Sequence, residues 1–87
     1  MNDETLLEFP CAFPIKIMGR ESPEFRALAR SLVEKHTGSL PDDAIHAALS
    51  RNGSFVSVTV TVDAQSQQQL DDIYREVTSN DEVLMAL

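Results

Sequence analysis

The chain has 87 residues, 43% of them hydrophobic, and its 14 acidic and 7 basic side chains give a formal net charge of −7. A chain this short buries only about 60–65% of the surface its unfolded form exposes. One domain spanning 1–87 is therefore expected, built as two layers, and an enzyme with a cleft between two domains is excluded. The composition rules out collagen, coiled coil and a disulfide scaffold. The acidic balance argues against nucleic acid, whose affinity for proteins comes from Lys and Arg displacing counterions.

The single cysteine, Cys11, has no partner for an internal disulfide. The lead Met1-Asn2-Asp3-Glu4 lacks the basic and apolar regions of a secretory signal, and no apolar run approaches the ~20 residues that span a bilayer. These features predict a cytoplasmic chain with no membrane segment. Leu6, Leu7 and Phe9 make residues 1–12 apolar enough to dock on the domain as an ordered lead.

Between Phe13 and Arg20, the residues Phe13, Ile15 and Ile17 alternate with Pro14, Lys16 and Met18. This period of two predicts a strand with one buried face, ending at Gly19. Ser22-Pro23 is a helix start, with serine as cap and proline at the first helical position. Phe25, Leu28, Ala29, Leu32, Val33 and His36 then form one apolar stripe, with Arg26, Arg30 and Glu34 on the opposite side, and Gly38 ends the helix.

Asn52-Gly53 lies between two β-rich runs and predicts a hairpin whose facing residues have numbers summing to 105. That register pairs Leu49 with Val56, Ala47 with Val58 and Ile45 with Val60 on an apolar face. Ser50 then pairs with Phe55, Ala48 with Ser57, His46 with Thr59 and Ala44 with Thr61 on the other face. A slip of one residue would mix the two. Ser66-Gln67-Gln68-Gln69 reads as a capping box, followed by helical spacing at Leu70, Ile73, Tyr74 and Val77. Ser79-Asn80-Asp81 stops this helix, and Val83–Leu87 is a short last strand.

The order β-α-β-β-α-β, with short right-handed crossovers, predicts an α+β ferredoxin-like fold: sheet order 4-1-3-2, with both helices on one face. Nothing in this pattern assembles catalytic groups. His36 and His46 stand apart on a helix end and a strand, no base neighbours a nucleophile, and the three glycines are scattered. No enzyme, metal or other cofactor is expected. Cys11 reads as a small buried hydrophobe.

What remains is the sheet face that the helices leave open. By parity it displays Lys16, Met18, His46, Ala48, Phe55, Ser57, Thr59, Thr61, Leu84 and Ala86. An RNA-binding sheet would carry stacking aromatics on both central strands within a basic rim, and this face does not. Its Thr, Ser, Ala and Met content suits covering by another chain, or in part by Leu6–Phe9. Residues 16–35 are the one net-basic segment, so Arg20, Arg26 and Arg30 are expected to steer an acidic partner.

Leu7-Glu8-Phe9-Pro10, Lys16-x-Met18-Gly19, Gly53-x-Phe55-x-Ser57-Val58-Thr59 and Val83-x-Met85-x-Leu87 together resemble the bacterial YbeD-like family over almost the whole chain. The chain departs at Asn52-Gly53, where that family commonly has Lys-Gly, and at Phe55, where Tyr is usual. The resemblance implies a fold similar to the small-molecule-sensing ACT regulatory domains. Two function classes follow. One is a cytoplasmic binding or regulatory domain acting through protein–protein contact, by hetero- or self-association. The other is an ACT-like sensor of a small-molecule effector that regulates a metabolic enzyme, with Gly19 and Arg20 in its ligand loop.

Overall fold

The computed structural model describes residues 7–87, so the expected docking of Leu6, and everything before it, lies outside the described residues. The strands are β1 (Cys11–Arg20), β2 (Ile45–Leu49), β3 (Phe55–Ala64) and β4 (Val83–Ala86), and the helices are α1 (Pro23–Thr37) and α2 (Gln67–Thr78). The sheet is antiparallel throughout, in the order β2-β3-β1-β4. This is the expected ferredoxin-like α+β arrangement, read from the opposite edge.

The core lies on one side of the sheet. Ile15 and Ile17 of β1 and Val56, Val58, Val60, Val62 and Ala64 of β3 are all 0–1% exposed. They join Phe25, Ala29, Leu32 and Val33 of α1 and Leu70, Ile73 and Val77 of α2 in one cluster. Parity along two ten-residue central strands and the apolar stripes of two helices thus meet in a single layer, which puts both helices on the same face.

The caps are the expected ones. Ser22 Oγ accepts from Phe25 N at 3.1 Å, with Pro23 opening α1, and Ser66 Oγ accepts from Gln69 N at 3.1 Å. The second half of the box differs: Gln69 Oε1 accepts from Gln65 N at 2.7 Å instead of from Ser66 N. Gln69 Nε2 also donates to His36 O at 3.0 Å, tying the start of α2 to the end of α1.

The hairpin register is as expected, with Ile45 opposite Val60, His46 opposite Thr59 and Leu49 opposite Val56. The turn differs in detail. Gly53 N donates to Ser50 O at 2.9 Å, and within this loop only Gly53 has positive φ, at 79°. The bend therefore centres on Arg51-Asn52, inside a four-residue loop closed by Ser50 N donating to Phe55 O at 2.8 Å. A two-residue and a four-residue loop about the same midpoint give the same register. Ala44 does not pair with Thr61, because Asp42–Ala44 form a single 3-10 turn before β2.

Three further expectations are corrected. β1 starts at Cys11, not Phe13, because β3 is long enough to pair Cys11 with Ala64. Cys11 is half-buried at the rim of the core. In β4, Leu84 and Ala86 were expected on the open face. Ile17 is opposite Ala86 and Met18 opposite Met85, but Gly19 is opposite Val83. Leu84 is thus the extra residue of a β-bulge, Ala86 packs toward the core, and Met85 occupies the open face beside Met18. The expectation that Leu6–Phe9 covers that face also fails for Phe9, which packs against the core cluster.

Candidate functional site: the open sheet face

Register across the four strands arranges the open face in rows. His46, Thr59, Lys16 and Leu87 form one, since Lys16 and Leu87 exchange backbone hydrogen bonds of 3.0 and 2.8 Å. Ala48, Ser57, Met18 and Met85 form the next. Phe55 and Arg20 close the end, with the Arg20 guanidinium 5.7 Å from the ring centroid, a cation–π distance. The sheet thus brings together Lys16, Met18, His46, Ala48, Phe55, Ser57 and Thr59 as expected. It adds Met85 and Leu87, which parity alone assigned to the other side; the bulge that moves them carries no side-chain signature of its own.

The face is apolar and exposed where the rows meet: Phe55 is 41%, Met85 52% and Leu87 62% accessible. A depression of 330 Å³ at the hairpin end is lined by Lys16, Met18, Ala48, Leu49, Phe55 and Ser57. Monomeric domains seldom leave large apolar side chains clustered in this way without a use for them.

Charge distinguishes this face from the rest of the molecule. Among the described residues, Lys16 and Arg20 make no ion pair. The strand positions of this face carry one carboxylate, Asp63, opposite Ala12 at the far end. Arg26 and Arg30, expected to steer a partner from the helix, are neutralised locally. Arg26 Nη1 donates to Glu21 at 2.9 Å, while Arg30 donates to Glu34 at 3.1 Å, to Asp42 at 2.9 Å and to Leu40 O. The Asp42 and Glu34 bonds push the Arg30 pKa up, and the Leu40 N–H, then Arg30, hold Glu34 below the usual carboxylate range. Among the described residues the cations without an ion-pair partner are therefore Lys16 and Arg20 on the sheet and Arg51 in the hairpin loop.

Of the two histidines, His46 is exposed on this face. His36 Nε2 lies 3.0 Å from Glu76 Oε1, and Lys35 donates to the same carboxylate at 3.2 Å. These partners lower the Glu76 pKa, His36 foremost. Among the described residues no three ligand-type side chains converge on a point, and no helix is long and apolar enough to cross a membrane. Gly19, placed in a ligand loop by the sensor reading, has a packing reason to be glycine. A Cβ there would stand 2.3 Å from Phe25 Cε1 and 2.7 Å from Glu82 O.

Comparison with known proteins agrees with this architecture. The solution structure of protein HP0495 from H. pylori superposes with a TM-score of 0.71 at 15% identity, covering 100% of this chain and 94% of that one; this likeness shows the fold. A UPF0250 protein of Paraburkholderia phytofirmans is 41% identical over 98% of this chain and 96% of its own length. Another, NE1487 of Nitrosomonas europaea, is 38% identical over the full length of both. The model of the family described as "Protein of unknown function (DUF493)" matches residues 4–87, and the chain belongs to this DUF493/UPF0250 family of small bacterial proteins, the YbeD-like family.

Proposed function

We propose that the domain is a cytoplasmic binding module that acts by docking a protein segment, apolar on one side and acidic at its margin, across the open sheet face. One observation carries this reading: on a protein of net charge −7, the face with exposed Phe55, Met85 and Leu87 is also where Lys16 and Arg20 stand without carboxylate partners among the described residues. Burying apolar area contributes about 25 cal/mol per Å², which supplies affinity. The cations contribute orientation and association rate more than depth of binding.

Thr59 is the place to test it, because it lies between His46 and Lys16 in one row. A carboxylate there cancels the charge of the row without entering the core. A protein captured from native cytoplasmic extract and then purified should bind wild type, lose most of its affinity for Thr59→Glu, and bind the Arg26→Glu/Arg30→Glu protein nearly as wild type. Normal binding by Thr59→Glu, with loss in the double variant, would place the docking surface on α1 instead.

A further inference from the structure

We propose that two copies of this chain join edge to edge through β2, in an antiparallel pairing with Ala47 on the two-fold axis, to form one eight-stranded sheet. This goes beyond the docking role of the open face and does not depend on it.

The two edges of the sheet are built differently. β4 has four residues and carries the bulge at Leu84, a feature that blunts an edge against pairing. β2 pairs regularly with β3 over all five of its residues, and Ile-His-Ala-Ala-Leu holds no proline or lysine. No strand among the described residues pairs with its other side.

Hydrogen-bond alternation determines what that side offers. Ser50 N donates to Phe55 O, so in an antiparallel ladder the even-numbered residues of β2 bond to β3 and Ile45, Ala47 and Leu49 turn their backbone groups outward. Ile45 N–H is already used by Asp42 O. The outward set is therefore the Ala47 and Leu49 N–H groups and the Ile45, Ala47 and Leu49 carbonyls. With Ala47 facing Ala47 of the second copy, Ile45 faces Leu49. The pairing then makes four bonds, two between the alanines and two from Leu49 N–H to Ile45 O.

The side chains agree with this register. Ile45, Ala47 and Leu49 project to the core face of the sheet, opposite Val60, Val58 and Val56. The helices do not reach over them: Ala47 is exposed and Leu49 is 55% accessible. The pairing brings the two apolar stripes together. It also sets the Asp43 end of one strand beside the Arg51 end of the other, and both charges lack ion-pair partners among the described residues. A two-fold axis perpendicular to the sheet leaves both open faces on one side, as a surface of twice the length.

Sedimentation velocity of the full chain from micromolar to millimolar concentration tests this. Wild type should show a concentration-dependent monomer–dimer equilibrium. Ala47→Pro removes the two N–H donors at the axis, where proline suits an edge strand, and should raise the dissociation constant at least ~10-fold. Leu49→Lys, at an exposed position, should do the same should the proline unfold the strand. Arg51→Glu should weaken the dimer a few-fold, and adding Asp43→Arg should restore it. A wild-type chain monomeric at millimolar concentration overturns the proposal, as does a dimer indifferent to both Ala47→Pro and Leu49→Lys.

Discussion

Gly19 lies directly beneath the ring of Phe25: a Cβ at position 19 would be 2.3 Å from Cε1 and 2.5 Å from Cζ, with Glu82 O at 2.7 Å on another side. The first ring of α1 thus seats in the space of a missing side chain, at the point where β1 meets the bulge of β4. Gly19→Ala must displace a ring that is 2% exposed, or the β4 backbone. Overpacking of this kind costs about 1–3 kcal/mol, and the urea midpoint should fall accordingly with an unchanged slope. An unchanged midpoint would mean that Phe25 has room to move.

Leu49 and Val56 face each other across the hairpin, but Val56 is 1% exposed and Leu49 55%. Val56→Ala should cost about 2 kcal/mol, from lost burial and the cavity left behind. In dilute monomer, Leu49→Ala should cost under ~0.5 kcal/mol. Thermal melts of the two variants at micromolar concentration decide this, and equal losses would show that Leu49 is covered in solution.

The same pair shows what the sequence could and could not reveal. Period-two alternation identified the face to which Leu49 belongs, and the sum of 105 identified its partner; both are local properties. Whether a helix extends over that face depends on how far α1 and α2 reach across the sheet, which is a tertiary distance. The bulge at Leu84 is similar. Val83-Leu84-Met85-Ala86 is apolar at every position, so no alternation marks the slip that exchanges Met85 and Ala86. Segment charge is a third case: a sum over 16–35 gives the net positive sign but not which cations stand free, and Arg26 and Arg30 meet Glu21, Glu34 and Asp42 whereas Lys16 and Arg20 meet no carboxylate among the described residues.

Glu76 joins the ends of the two helices through His36 and Lys35, and its pKa is lowered from the ordinary 4.5. A group whose folded pKa is depressed contributes stability that is fully present above its unfolded value and lost as pH falls through the folded one. The stability difference between wild type and Glu76→Gln should therefore shrink as pH falls below the ordinary carboxylate value and through the lowered folded one. Urea titrations across that range measure it. A difference that widened below the ordinary carboxylate value would show that Glu76 is strained, not stabilised, in its folded setting.

The bulge makes the sharpest prediction about the open face, because it assigns adjacent residues to opposite sides. Met85 faces Met18 and is 52% exposed, while Ala86 faces Ile17 and packs against the core. A carboxylate at 85 stays in water near Lys16, which has no ion-pair partner among the described residues. A carboxylate at 86 must be desolvated beside Ile17, with no cation in the core cluster to compensate. Met85→Glu should change stability by under ~0.5 kcal/mol and Ala86→Glu should cost at least ~2 kcal/mol. For a domain of this size that is a difference in melting temperature of roughly 8–16 °C. Without the bulge the order would reverse, so one pair of melts separates the two registers and establishes which apolar side chains a docked partner meets.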